Sequence, residues 1–274
     1  MSDFLERNGQ RDMTALFKNL FLASVHRNGA EELLERLENE TDFFEAPAGA
    51  KHHGAFPGGL VIHSLNVYYR LREITIRDLT KEGAPGPATL SEQEEETVAI
   101  LGLLHDVCKA GVYHAETKRR RNPETGVWED YLGYTFRDPL PLGHGEKSLY
   151  QITRFIRLED YEALAIRWHM GAYDTAARTD LRDLSAAMDA TPWVWRLHEA
   201  DMCAAHIDER GTDGRMTKLL CKPCAVDLAA RGKTVKPVAQ RCEKITCSEC
   251  GRRRFGITYE VTGRATRKKE VTKK

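Results

Sequence analysis

The most hydrophobic stretch of the chain is residues 98–104, where every position is apolar or glycine. Ser91 and Glu94, just before it, form the S-x-x-E pattern of a capping box, a start signal for a helix. These features predict a central helix that is buried on nearly all sides. The stretch runs directly into His105 and Asp106. Burying these two polar side chains is costly unless they are paired or bind a metal, so they are the first functional candidates.

Apolar residues at helical spacing predict further helices around this one, and they indicate a mainly α fold. The expected helices are two within residues 12–40, one from residue 60 to 71, one from residue 142, and two over residues 156–170 and 193–207. Residues 113–121 and 127–136 flank an Asn-Pro-Glu-Thr-Gly turn and predict a β-hairpin inserted at about 113–136.

The net charge of the 274 residues is zero, but the charge is unevenly distributed. Residues 221–274 hold 15 Lys and Arg against 5 Asp and Glu, a net +10, so residues 1–220 carry −10. This division indicates an acidic globular body with a basic appendage that could meet phosphates. The sequence has no run of 18 apolar residues, so we expect no membrane-spanning segment. The N-terminus lacks the basic-then-apolar order of a signal peptide, so we expect a cytoplasmic protein.

Imidazoles and carboxylates recur through the predicted helices. They are His63, His105, Asp106, His144, His169 and Asp201. A single histidine on an apolar helix face is more often a structural residue than a ligand, so the ordered set carries the hypothesis. Its mixed donors suit Mn, Fe, Co, Ni or Zn better than Mg or Ca alone. Two such cations about 3.5–4 Å apart can acidify a shared water and clamp the oxygens of a phosphate.

Two residues of this set have specific expected roles. Asp106, adjacent to a ligand histidine, can bridge both cations. Lys109 follows His105 by one helical turn and can neutralise the charge of a phosphate. We therefore expect Asp106 and Lys109 to be the catalytic residues.

The order H…HD…H…H…D resembles the HD-domain metal-dependent phosphohydrolases. The detailed motifs resemble the HD domain of the bacterial 3′→5′ exoribonucleases of that superfamily, over roughly residues 43–210. The similarity rests on three segments: His-His-Gly-Ala-Phe-Pro-Gly-Gly-Leu at 52–60 followed by His63, Leu-His-Asp-x-x-Lys at 104–109, and Tyr134-Thr135 with Leu-Gly-His at 142–144.

The resemblance implies a helical HD-domain bundle over residues 1–210, with the metal centre in a central cleft. It implies that one metal is held by His63, His105, Asp106 and Asp201, and the second by Asp106, His144 and His169. Two differences stand out. Nothing here resembles the N-terminal OB-type domain of those exoribonucleases, and Cys108 replaces their usual glycine, which we interpret as a packing variant.

Four cysteines near the C-terminus form two C-x-x-C pairs, Cys221 with Cys224 and Cys247 with Cys250. Each pair offers two thiolates from a tight turn, and together they complete a tetrahedral zinc site. The segment resembles a zinc ribbon over residues 221–262, with a linker at 211–220 and a basic tail at 263–274. So few apolar residues surround the cysteines that the metal is needed for folding.

Two groups of arginines are candidates for substrate binding. Arg252, Arg253 and Arg254 lie beside the second cysteine pair, where Phe255 and Tyr259 could stack on single-stranded nucleic acid. Alternatively, the ribbon docks on the body or on a second subunit, so an oligomer stays open. Arg119, Arg120 and Arg121 on the hairpin could contact a phosphate, or they keep an exposed hairpin soluble.

Three functions are consistent with these observations. The first is hydrolysis of a phosphoester of a nucleotide by a metal-bridging hydroxide, which the lack of a visible OB-type domain favours. The second is a 3′→5′ exonuclease on single-stranded RNA or DNA, which the motif match and the basic ribbon favour. The third is a non-catalytic, nucleotide-sensing regulator that binds nucleic acid. The complete ligand set and Lys109 argue against the third.

Overall fold

A computed structural model describes residues 2–51, 54–121, 126–209, 216–230, 233–237, 242–247, 249–250 and 252–264. The chain forms two compact units. One comprises Asp12–Arg210, and the other comprises Met1–Arg11 together with Gly211–Lys274. In the described part of the chain, no helix has both the length and the apolar character needed to cross a membrane.

The larger unit is helical, as the apolar spacing predicts. Its helices are α1 (Ser2–Ser24, which begins in the other unit), α2 (Ala30–Asn39), α3 (Gly59–Leu79), α4 (Glu92–Leu104), α5 (His144–Thr153), α6 (Asp160–Trp168), α7 (Thr175–Thr179), α8 (Arg182–Ala190) and α9 (Pro192–Cys203). Short 3₁₀ turns lie at Val107–Lys109 and Gly171–Tyr173, and a π-helical segment, Ala204–Asp208, follows α9. The expected mainly α fold is confirmed.

Helix α4 is the centre of this unit. Its capping box is formed: Ser91 Oγ accepts from the backbone N–H of Glu94 at 3.3 Å, and Glu94 Oε2 accepts from the N–H of Ser91 at 2.8 Å. Every residue from 97 to 104 is buried. Gly102 lets α3 approach closely, because a Cβ there would lie 2.5 Å from the Cα of Tyr68. This contact brings α3 alongside the end of α4, where His105 and Asp106 follow.

The predicted hairpin is present between α4 and α5. Strands β1 (Tyr113–Arg121) and β2 (Trp128–Phe136) pair antiparallel, with Tyr113 opposite Phe136 and Arg121 opposite Trp128.

Between residues 216 and 264, the described part of the smaller unit forms a four-stranded antiparallel sheet and the helix α10. Its elements are β3 (Met216–Cys221), α10 (Lys222–Ala230), β4 (Lys233–Pro237), β5 (Glu243–Thr246) and β6 (Arg253–Arg264). Strand β6 pairs with each of the other three. This β-rich segment carries the four cysteines, in agreement with the expected C-terminal ribbon.

Several predicted boundaries differ from the structure. Helix α6 begins at Asp160 rather than at residue 156, because Glu159 and Glu162 form a capping box there. Helices α7, α8 and α10 were not predicted. Each buries only one or two residues, so its sequence shows little apolar periodicity. Strand β3 occupies residues 216–220 of the segment expected to be a linker, and β6 extends into the expected tail, of which residues 265–274 lie outside the described residues.

Candidate metal centre

The six expected ligands come from five helices and converge on one cluster. His63 lies in α3, His105 and Asp106 follow α4, His144 begins α5, His169 follows α6, and Asp201 lies in α9. Five of them are buried, and His144 is the one whose side chain stays partly accessible, at 30%. The site is therefore assembled by the packing of five helices, which brings together residues that are far apart in the sequence.

The two carboxylate oxygens of Asp106 face different pairs of imidazoles. Its Oδ2 lies 3.3 Å from Nε2 of His63 and 3.4 Å from Nε2 of His105. Its Oδ1 lies 2.7 Å from Nε2 of His144 and 3.6 Å from Nε2 of His169. Asp201 is on the first side, with its Oδ1 3.2 Å from His63 Nε2. The contacts of Asp106 thus separate His63 and His105 from His144 and His169. Ligand atoms of His105, His169 and Asp201 also lie within 4.8 Å of one another, so the two ligand sets that the resemblance implies stay a prediction.

Three of the imidazoles are oriented through their other ring nitrogen. Nδ1 of His105 donates to the carbonyl of Gly102 at 3.1 Å, and Nδ1 of His169 donates to the carbonyl of Ile166 at 2.7 Å. Nδ1 of His63 lies 3.0 Å from Oε1 of Glu209. Each interaction directs Nε2 towards Asp106, as the outer hydrogen bonds of metal-binding histidines do.

The donor set fits divalent transition metals. Nε2 of His169 is buried and has no hydrogen-bond partner within the described residues, although buried polar atoms are normally satisfied. Overlapping groups of metal-capable atoms surround it, and within each group the atoms lie within 4.8 Å of one another. Clustered imidazole nitrogens and carboxylate oxygens are suitable ligands for such ions.

Glu209 is a part of the site that the sequence analysis missed. It is buried, and its Oε1 also accepts a hydrogen bond from Asn66 at 3.0 Å. The adjacent Asp208 binds the guanidinium of Arg70 on α3, with Nε to Oδ2 at 2.7 Å. Two consecutive carboxylates after a predicted helix were a weak signal, since only the tertiary fold brings them to His63.

Lys109 and Asp106 form a close ion pair, with Nζ 2.6 Å from Oδ2. Burial disfavours the charge of Lys109, but the Asp106 and Asp201 carboxylates outweigh it and raise its pKa. Burial also opposes the charge of Asp106, yet Lys109 and His105 hold its pKa well below the usual value. The pair is therefore charged at neutral pH.

The histidines of the first group respond differently to their surroundings. Burial opposes the protonation of His63, but Glu209, Asp106 and Asp201 raise its pKa well above the ordinary value. For His105 burial prevails, and its pKa is lowered despite the neighbouring Asp106. The surrounding carboxylates therefore favour the protonated form of His63, whereas burial favours the neutral form of His105.

The four ribbon cysteines also come together. Cys221 ends β3, Cys224 lies in the first turn of α10, Cys247 follows β5, and Cys250 precedes β6. Their sulfurs lie within 4.8 Å of one another, which fits a tetrahedral Cys₄ zinc site. Burial opposes ionisation of Cys247, but backbone N–H groups, that of Cys221 among them, lower its pKa to about 6. Cys242 is an exposed free thiol outside this group.

The arginines proposed as substrate contacts are all exposed. On the hairpin, Arg119 lies 3.3 Å from Asp130, and Arg120 lies over the ring of Tyr131 at 4.9 Å. In the ribbon, Arg252, Arg253 and Arg254 precede Phe255, whose side chain is 67% exposed. The motif residues His52 and His53 lie outside the described residues.

Fold and site together define a mainly helical protein with a buried, metal-capable His/Asp cluster and a metal-capable group of four cysteines in its smaller unit. The family model named HD domain matches residues 60–213, more than half of the chain. The chain therefore belongs to the HD domain family, whose members are generally metal-dependent phosphohydrolases. Searches of curated proteins and of solved structures gave no significant match. The finer similarity to the exoribonucleases stays a prediction.

Proposed function

We propose that this protein is a metal-dependent phosphohydrolase that cleaves a phosphoester of a nucleotide at a dinuclear centre. The observation that carries the proposal is that the two carboxylate oxygens of Asp106, Oδ1 and Oδ2, face separate pairs of imidazoles. A carboxylate in this position can bind two cations at once.

The proposed first position uses His63, His105, Asp106 and Asp201, and the second uses Asp106, His144 and His169. When bound, two divalent transition metals (Mn, Fe, Co, Ni or Zn) would supply an acidified water and positive charge for a phosphate. The ribbon would hold one structural Zn through its four cysteines.

The chain's own residues then have distinct roles. Asp106 would hold the two positions together, and Lys109 would contribute a permanent positive charge beside them. The Lys109 side chain is 13% exposed, so its ammonium lies near the accessible side of the cluster. His144 is the most exposed of the six proposed ligands, so a phosphate would approach the cluster beside its ring.

A second candidate, a 3′→5′ exonuclease on single-stranded RNA or DNA, is favoured by one observation. The exposed Phe255 follows three exposed arginines on the ribbon. Exposed aromatic rings beside cationic side chains suit unpaired bases and their phosphates. In this form of the proposal the ribbon would bind the strand, and the same centre would hydrolyse it.

The experiment is a substrate screen with metal-loaded protein. Purified protein is supplied with Mn, Co or Zn and incubated with nucleotides, cyclic dinucleotides and labelled single-stranded oligomers, with Asp106→Ala as the inactive control. We expect nucleotide turnover that the Asp106→Ala variant lacks. Turnover of oligomers alone would select the exonuclease. Nucleotide binding without turnover under any metal would contradict hydrolysis and leave the regulator.

A further inference from the structure

We propose that Cys108 is a further ligand of the second metal position, where its thiolate joins Asp106, His144 and His169. The inference rests on the proposed dinuclear centre and deepens it, since it states which metals that position takes. A thiolate there would favour Zn, Co or Fe over Mn.

The fold holds the sulfur of Cys108 against His144. Cys108 lies in the 3₁₀ turn Val107–Lys109 that follows Asp106, and its backbone N–H donates to Ser148 Oγ on α5 at 3.3 Å. The side chain is buried between the end of α4 and the start of α5. Its Sγ lies 3.4 Å from Nδ1 and 3.8 Å from Nε2 of His144.

These separations suit two ligands of one ion. With metal–sulfur and metal–nitrogen distances of about 2.3 Å and 2.0–2.1 Å, tetrahedral S and N ligands lie about 3.5 Å apart. The distance to compare is the 3.8 Å from Sγ to Nε2, the His144 nitrogen that faces Asp106. One ligand atom each from Asp106, Cys108 and His144 also lie within 4.8 Å of one another. A small adjustment of side chains is therefore enough to bind a common ion.

A second observation concerns His169, the other imidazole that faces Oδ1 of Asp106. Its ligand atom also lies within 4.8 Å of those of His105 and Asp201. Nε2 of His169 is buried without a hydrogen bond in the described part of the chain, and it lies 3.6 Å from Asp106 Oδ1. The His169 ring is adjacent to that of His144, with centroids 5.1 Å apart. A cation between these groups would satisfy the nitrogen.

The ligand count also favours Cys108. The first proposed position has four protein ligands, whereas the second has three without the thiol. Adding Cys108 gives each position four. A mixed sulfur, nitrogen and oxygen set selects softer ions, because Mn prefers oxygen ligands and thiolates prefer Zn, Co and Fe.

Cobalt absorption tests this directly, because a thiolate bound to Co(II) gives a sulfur-to-metal charge-transfer band in the near ultraviolet. The full chain is loaded with Co(II) as wild type, Cys108→Ser and Cys203→Ser. The ribbon cysteines are common to all three proteins, so their contribution cancels in difference spectra. Cys203 is the matched control, since it lies in the same unit but outside the metal-capable groups.

We expect Cys108→Ser to lose the absorption of one thiolate and Cys203→Ser to lose none. Zn affinity of the second position should fall at least about 100-fold in Cys108→Ser, the upper range for losing even an outer partner of a ligand. Mn affinity should change far less. If circular dichroism shows Cys108→Ser to be unfolded, Cys108→Ala takes its place in both measurements.

Two results have separate meanings. Unchanged charge-transfer absorption with three Co(II) bound per chain in the Cys108 variant, two in the His/Asp centre and one in the ribbon, overturns the assignment of Cys108 alone. Unchanged metal content in Asp106→Ala would instead contradict the dinuclear centre on which the inference rests.

Discussion

The two metal-capable sites of this chain differ in what surrounds them. The His/Asp cluster lies in a unit with a large apolar core, to which α1 to α4 contribute fully buried residues such as Phe17, Leu60 and Leu101. The cysteine site lies in a unit with a small core: Leu220, Cys221, Ala225, Leu228, Cys247 and Val261. Two of those core residues are themselves expected ligands.

The orientation of the ligands differs in the same way. Three histidines of the cluster are held by Gly102, Ile166 and Glu209, none of which needs a metal to take its position. In the ribbon, the cysteine sulfurs contact other cysteines of the same group. The Sγ of Cys221, for example, lies 3.9 Å from the Sγ of Cys250. We infer that the metal serves function in the first unit and folding in the second.

The largest expected effect is loss of the ribbon fold on removal of its zinc. In Cys221→Ser, three thiolates remain, and a structural Zn site worth about 10–16 kcal/mol loses much of its affinity. Hydrogen exchange should then become fast throughout β3 to β6, while α3 and α4 stay protected. Cys242→Ser, which removes an exposed cysteine outside the site, is the control. Full protection of β6 in zinc-free Cys221→Ser would remove the contrast between the units.

An intermediate effect is expected at Glu209. Glu209→Gln weakens the acceptor of His63 Nδ1, and losing such an outer partner costs about 10–100-fold in metal affinity. The matched control is Asp208→Asn, because that neighbouring carboxylate binds Arg70 rather than a ligand histidine. Isothermal titration calorimetry with the metal measures the affinity of both variants. Equal affinities for the two would mean that the fold, without Glu209, orients His63.

The smallest expected effect is on the salt dependence of oligomer cleavage, which tests whether the ribbon binds a nucleic-acid strand. If it binds a strand, kcat/KM for oligomers should fall steeply with salt, because bound phosphates release counterions. Changing Arg252, Arg253 and Arg254 to Ala should flatten that slope, whereas mononucleotide turnover should depend on salt weakly in both proteins. The corresponding change of Arg119, Arg120 and Arg121 is the comparison. A slope that the ribbon change leaves untouched would exclude this contact.

Local signals predicted the parts of the structure that depend on neighbouring residues. The Ser91 capping box, the buried run of α4 and the hairpin strands all lie where propensity and spacing indicate. The ordered histidines were recognisable because a motif encodes them. Glu209 was not, since it lies 146 residues from His63 and only the packing of α3 with the segment after α9 joins them.

Cys108 illustrates the same limit at short range. From the sequence it is a substitution for glycine beside a buried helix, and packing explains it adequately. Its neighbour His144 is 36 residues away, so the contact depends on how α5 meets the end of α4. Helices α7 and α8 were missed for a related reason. Their few buried residues, Ala177, Leu184 and Ala187, pack in a small cluster with Trp168 and Val194, and that packing depends on the tertiary fold.

The central claim, that Asp106 joins two cations, is tested most directly by a crystal structure of Mn- or Zn-loaded protein with anomalous scattering at the metal edge. We expect two peaks about 3.5–4 Å apart, the usual spacing of two-metal sites, with Asp106 Oδ1 at one and Oδ2 at the other. Asp106→Ala should lose both peaks, and His144→Ala should lose only the second. A single peak within the His/Asp cluster of wild-type protein under saturating metal, or two peaks retained in that cluster in Asp106→Ala, would contradict the account.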